Sequence, residues 1–184
     1  MLDSILADRE LVILQLKFGT MYVVSRLLAG AELFNVEWIL EVIYALLGLA
    51  TYSLIVKKIV PKNINDNKIL KNVISVNAIY GTMFVISRLL SGKDFNLDWL
   101  SNIIYILLGF TTYHVLIKDY IPFNKISNDK KIINSLSDTF EIFIMSLISQ
   151  LLSGQPYDKM WFYSTLYTCI GFVVYNLVTS NILS

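Results

Sequence analysis

The chain has 184 residues, 55% of them hydrophobic and only 16% charged, with a mean hydropathy of +0.61. A soluble domain carries about a quarter charged residues, so this composition argues against a water-soluble fold; it also argues against disorder, which needs low hydrophobicity and high charge. A net charge of +1 speaks against generic nucleic-acid binding, and a single cysteine excludes an internal disulfide framework or a Cys-rich metal site.

The first ten residues, MLDSILADRE, are acidic rather than basic, and Lys17 and Arg26 interrupt the apolar run behind them. That is not the pattern of a cleavable signal peptide, so the first apolar segment is expected to be retained. Six such segments follow in chain order: Leu11–Ala29, Trp38–Val56, Val73–Ser91, Trp99–Ile117, Asn134–Ser153 and Trp161–Val178. The clearest, Trp99–Ile117, has 19 residues and no acidic or basic residue except His114. As a helix it measures about 28 Å, the thickness of a bilayer core. Helices apolar on all sides, six times over, point to membrane spans rather than to a soluble bundle.

The segments repeat. Phe18–Gly30 reads FGTMYVVSRLLAG, and Tyr80–Gly92 reads YGTMFVISRLLSG, 62 residues further on. A weaker copy, FIMSLISQLLSG, runs from Phe143 to Gly154 at the same offset. Met21, Met83 and Met145 correspond, as do Ser25, Ser87 and Ser149, and Gly30, Gly92 and Gly154. The second halves agree as well. From Trp38, Trp99 and Trp161, six residues lead to Tyr44, Tyr105 and Tyr167. Four more lead to Gly48, Gly109 and Gly171, and another four to Tyr52, Tyr113 and Tyr175. The connectors match too: Pro61 with Pro122, and Asn65-Asp66 with Asn128-Asp129, which are N-cap residue types. A fixed period of this kind marks a repeat architecture.

The predicted fold is therefore all-α and transmembrane. It is a single membrane domain over residues 1–184, made of six spans in three helical hairpins. Repeat 1 covers about residues 11–62, repeat 2 about 73–123 and repeat 3 about 134–184. Two spans per repeat keep all repeats in one orientation, the parallel-repeat case, and predict quasi-threefold symmetry about the membrane normal. The connectors carry Lys57, Lys58, Lys62, Lys68 and Lys71, then Lys118, Lys125, Lys130 and Lys131. The hairpin turns carry Lys93 and Lys159 among the acids Glu32, Glu37, Asp94, Asp98 and Asp158. The positive-inside rule puts the termini and connectors on the cytoplasmic-equivalent side. Trp38, Trp99 and Trp161 are expected as interface anchors at the opposite boundary.

Few residues suggest chemistry. Arg26 and Arg88, with Gln150 in the third copy, lie about one turn inside the far end of each first helix. A charge there is costly and so a functional candidate. The three either form a polar ring around an anion path, or Arg26 and Arg88 pair with Glu37 and Asp98 across the turn. The Tyr-Gly-Tyr series lies on one helix face and reads as a packing seam, since glycine permits close approach and tyrosine hydroxyls can bond across. Lys17 has Ile79 and Glu141 as its counterparts and is expected to snorkel to the basic side. Glu37 and Glu41 share a helix face at a boundary and are expected to be solvated. His114 is the only histidine and Cys169 the only cysteine, so a bis-histidine haem and a His-rich metal site are excluded within the chain. No phosphate-binding glycine loop occurs. No cofactor or metal is expected.

Three two-helix repeats are also a feature of mitochondrial carriers. Their P-x-[DE]-x-x-[KR] signature is absent here, because Pro61, Pro122 and Pro156 all lie outside the odd spans. The sequence thus points to a non-enzymatic structural or scaffold protein of a membrane-associated assembly. Its expected partners are the lipid bilayer and other membrane or membrane-associated proteins that dock on the basic connectors; no specific nucleic acid is expected. One such assembly would be the internal membrane of a large virus particle; the leaning to Ile, Asn, Lys and Tyr suits an AT-rich genome, such as those of many large DNA viruses, organelles, protists or low-GC bacteria. The competing expectation is a small channel or carrier with an anion-favouring path along the threefold axis.

Overall fold

A computed structural model describes residues 2–32, 35–60 and 68–178, with side chains from Arg9 onward. Pro61, Lys62 and Asn65-Asp66 lie outside the described residues, as does the end of repeat 3 beyond Val178. The described residues are helical, with no strand among them. We number the helices α1 (Leu2–Leu28), α2 (Val36–Thr51), α3 (Lys68–Leu90), α4 (Leu97–Thr112), α5 (Phe123–Ile126), α6 (Lys130–Ser153) and α7 (Lys159–Leu177). α2 runs on through a π-helical turn, Tyr52–Val56, to Ile59; α4 runs on through an equivalent π turn, Tyr113–Ile117, to a 3-10 turn ending at Tyr120.

Local sequence accounts for the boundaries. Gly30, Gly92 and Gly154 follow α1, α3 and α6 with φ of 82°, 64° and 66°. Only glycine adopts this left-handed conformation freely, and it closes a helix there by returning N–H groups to the last carbonyls. The second helices start on side-chain caps: Asn35 accepts from Glu37 N–H, Asn96 from Trp99 N–H and Asp158 from Trp161 N–H. Asp129 caps α6 in the same way, accepting from Lys131 N–H.

Among the described residues, five helices are long and apolar enough to cross a membrane: Arg9–Leu28, Val36–Ile59, Lys68–Leu90, Leu97–Tyr120 and Lys130–Ser153. This is consistent with an integral membrane protein. The expected sixth span, α7, does not join them on apolar content. Its 19 residues include Trp161, Tyr163, Tyr167, Tyr175 and Asn176, whose polar atoms dilute the aliphatic residues. Large apolar side chains lie exposed along the flanks, among them Leu40, Ile43 and Leu47 on α2 and Leu100, Ile104 and Leu108 on α4. A monomeric soluble protein rarely leaves such stripes uncovered.

The helices pack as a closed ring in the order α1, α2, α3, α4, α6, α7 and back to α1. At three places a second helix meets the first helix of the following hairpin almost backbone to backbone. A Cβ added to Gly48 would stand 2.7 Å from Met83 Cα, one at Gly109 would stand 2.7 Å from the Met145 carbonyl oxygen, and one at Gly171 would stand 2.7 Å from Met21 Cα. Any side chain at these glycines would force the helices apart. The third contact joins the end of the chain to its beginning. The residues after these glycines, Leu49, Phe110 and Phe172, are buried at the centre of the ring together with Phe18 and Ile142. The rings of Phe18 and Tyr80 meet edge to face at 5.5 Å, those of Phe18 and Phe172 at 5.8 Å, and Tyr80 stacks on Phe110 at 3.8 Å. This plug fills the ring on the connector side of the Gly–Met contacts.

Candidate functional site

On the turn side of the plug the ring is hollow. A chamber of about 670 Å³ extends from the plug to the hairpin turns. Its base is Phe18, Tyr80, Phe110 and Ile142, and Met21, Met83 and Met145 contribute one wall residue from each hairpin. Nearer the turns it is lined by Ser25 and Arg26 of α1, by Ala29 just after it, and by Met160, Ser164 and Thr168 of α7. A second, polar cleft of about 270 Å³ lies beside it, lined by Arg26, Glu41, Arg88, Lys93 and Trp99. Tyr22, Arg26 and Phe84 line both, so the two spaces share a wall.

Arg26 and Arg88 do not take the partners expected from the sequence. Arg26 Nη2 donates to Glu41 Oε2 at 2.5 Å, and Lys93 Nζ approaches the other oxygen of Glu41 at 3.6 Å. Glu37 lies one turn earlier on α2, at its very start, and forms no ion pair among the described residues. Glu41 is the carboxylate that projects toward α1, so it is paired rather than simply solvated. Arg88 donates from Nε and Nη2 to the Asp94 carbonyl, at 3.0 and 2.6 Å, and its guanidinium lies 5.6 Å from the Trp99 ring centroid. Asp98, in the first turn of α4, forms no ion pair among the described residues. Gln150 repeats the Arg88 contact in neutral form, donating Nε2 to the Pro156 carbonyl at 2.7 Å. In both hairpins the polar group closes the turn by satisfying the carbonyl six residues ahead. In the first hairpin the corresponding Glu32 carbonyl is taken by Trp38 Nε1 at 2.8 Å, which leaves Arg26 for Glu41. The three residues therefore do not form one ring: Arg26 and Arg88 share a cleft, and Gln150 stays at its own turn.

The Tyr-Gly-Tyr series has the same burial in each copy. Tyr44, Tyr105 and Tyr167 are half-buried, and Gly48, Gly109, Gly171, Tyr52, Tyr113 and Tyr175 are buried. Tyr52 reaches Ser75 Oγ at 3.4 Å, and Tyr113 reaches Ser137 at 3.3 Å, each on the first helix of the next hairpin. The position corresponding to these serines in repeat 1 is Ile13, and Tyr175 has no hydroxyl hydrogen bond among the described residues. Of the tryptophans, Trp38 is buried while Trp99 and Trp161 are half-buried, all at the turn ends of the second helices. Trp99 packs on Phe95 and Trp161 on Tyr157.

Lys17 does not run to the basic side. Its Nζ donates to Asp138 Oδ1 on α6 at 2.8 Å and lies 5.3 Å from the Phe172 ring centroid. Asn176 on α7 donates to the other oxygen of Asp138 at 2.8 Å. One turn along α6, Glu141 Oε1 lies 3.4 Å from His114 Nε2 on α4, and His114 is buried. Asn77 Nδ2 donates to Thr111 Oγ1 at 2.9 Å between α3 and α4. These contacts lie on the connector side of the plug. The sequence carried one signal for them: α6 alone among the first helices has acids, Asp138 and Glu141, within its apolar run. Among the described residues no cluster of His, Cys, Asp or Glu could hold a metal ion.

No family model, curated protein or solved structure matches the chain.

Proposed function

We propose that the chain is a non-enzymatic structural component of a membrane-associated assembly, such as the internal membrane of a large virus particle. In this reading it crosses the bilayer six times, as three parallel hairpins about a quasi-threefold axis. α7 is the sixth span: it is long enough at about 1.5 Å per residue and packs between α1 and α6, both apolar spans. The termini and basic connectors lie on the cytoplasmic-equivalent side, where exposed Lys58, Lys125 and Lys130 are available to membrane-associated partners. Trp38, Trp99 and Trp161 lie at the opposite interface.

The observation that carries the reading is the ring sealed by three Gly–Met contacts over an apolar plug. A conducting path needs polar lining, and among the described residues the plug at that level is built mainly from Phe18, Leu49, Phe110, Ile142 and Phe172. The test is gentle detergent extraction from the native source, followed by identification of co-purifying proteins. A stoichiometric assembly is expected; recovery of the chain alone would overturn the reading.

A second reading, a small carrier with an anion-favouring path, is favoured by Arg26, which lines both the central chamber and the cationic cleft. It requires the plug to open. Uptake of a radiolabelled anion into proteoliposomes, lost in Arg26→Leu with the fold intact, would support it, and absence of uptake would remove it.

A further inference from the structure

We propose that the chamber is a binding site for an amphipathic anion, its apolar body held among the methionines and aromatic rings and its acidic head at Arg26. The site requires binding and no flux, so it stands apart from both readings above.

The chamber volume, about 670 Å³, falls within the roughly 300–1,000 Å³ of pockets that take small molecules. Its far end is closed by Phe18, Tyr80, Phe110 and Ile142, which a ligand's apolar end would meet. Met21, Met83 and Met145 line it from three sides, and flexible thioether side chains adapt to an apolar chain of variable shape. A small inorganic anion would leave most of this space unfilled, so the body of the ligand is apolar.

The head follows from the mouth. Arg26 is a wall of both spaces, and the cleft next to it holds three cations, Arg26, Arg88 and Lys93, against one carboxylate, Glu41. Arg88 is bound to a carbonyl and not to an acid. Arg26 gives one nitrogen to Glu41, and a guanidinium has five N–H donors. It can therefore keep Glu41 and still receive a carboxylate or a phosphate monoester. A neutral amphiphile would gain nothing from this arrangement, and a cationic one would be repelled by Arg88 and Lys93. The head-group chemistry fits either a free fatty-acid anion or the phosphate of a single-chain lipid.

The full-length chain in phosphatidylcholine nanodiscs, with empty nanodiscs as background, tests this with radiolabelled palmitate and radiolabelled lysophosphatidate. Saturable binding of one molecule per chain is expected for at least one probe, and the stronger of the two identifies the source. Unlabelled hexadecanol should compete about tenfold less well than the anion, the scale of one charge-assisted contact. This comparison uses the unaltered protein and does not depend on any variant folding. Arg26→Gln should weaken binding about tenfold. Thr168→Trp, which fills the chamber, should abolish it, and Lys58→Gln at the opposite end should leave it unchanged. The proposal is overturned if neither probe binds, if hexadecanol competes equally, or if folded Thr168→Trp binds as before.

Discussion

The two ends of the ring are built from the same repeated segments and yet differ in kind. At the turn end the three hairpins diverge around a chamber, and the polar groups there mostly satisfy their own turns: Arg88 and Gln150 each reach a carbonyl six residues ahead. At the connector end the centre is filled, and polar groups reach between hairpins instead. Lys17 meets Asp138, His114 meets Glu141, and two tyrosines meet serines on the neighbouring hairpin, while Asn77 meets Thr111 within the second hairpin. Polar contacts between helices add specificity where apolar packing among lipid-like surfaces supplies little. Most polar contacts between hairpins thus lie at the connector end, Lys93 with Glu41 being one at the turn end, and the turn end is left free to be hollow.

The contrast can be broken most severely at Asp138. Asp138→Ala leaves the Lys17 ammonium without its carboxylate in a half-buried position. Loss of one partner of a fully buried pair costs about 3–5 kcal/mol, and this part-buried pair is expected at the lower end of that range. A large fall in the thermal midpoint of the detergent-solubilised protein is expected. The double variant Lys17→Leu/Asp138→Leu should recover most of it, since replacing both charges removes the unpaired one. A single variant as stable as the parent would show that the pair contributes nothing.

A smaller loss is expected at the boundary between the two ends. Gly109→Val drives a side chain into the Met145 backbone, and overpacking of this kind costs about 1–3 kcal/mol. Gly48→Val and Gly171→Val should behave alike, because all three junctions are equally tight. Gly81→Ala is the control: its added Cβ meets only a Leu107 methyl at 4.0 Å, and it should be neutral or stabilising. The same thermal measurement separates these outcomes; a Gly81→Ala loss equal to that of Gly109→Val would contradict the close-contact account.

Smaller still, Tyr52→Phe removes one interhelical hydrogen bond, to Ser75 Oγ, and Tyr113→Phe removes the contacts to the Ser137 carbonyl and Oγ, each bond worth about 0.5–1.5 kcal/mol. Tyr175→Phe should change nothing measurable, because Ile13 stands where the other copies have serine. Equal losses at all three tyrosines, read by the midpoint of denaturation in mixed micelles, would mean that the hydroxyls act other than through Ser75 and Ser137. The least effect on stability belongs to the turn end. Arg26→Gln breaks a half-exposed pair, and such pairs contribute about 0–1 kcal/mol. A midpoint shift as large as that of Asp138→Ala would erase the distinction between the ends.

The helices, the Asp129 cap and the repeated glycines were legible because they depend on local pattern; the caps Asn35, Asn96 and Asp158 came only with the structure. Period and spacing identify Gly48, Gly109 and Gly171 without knowledge of what they face, and the turn glycines follow from the backbone each turn requires. The partners of Arg26 and Arg88 were not legible. Glu37 and Glu41 lie on the same face of α2, and sequence position does not say which one reaches α1. Lys17 was misplaced for a related reason. Near a membrane boundary a lysine has two outlets, the interface and a buried acid, and only the ring brings Asp138 to it from a distant part of the chain.

Composition and hydropathy by themselves determined an all-helical chain with several apolar, membrane-span-like helices and basic connectors, because hydropathy, helix caps and charge bias act over a few residues. The closure of the ring, the aromatic plug and the chamber above it were decided only by tertiary structure. They arise where the last hairpin meets the first, as Gly171 packs on Met21. No local interaction specifies that contact, because it joins helices from distant parts of the chain.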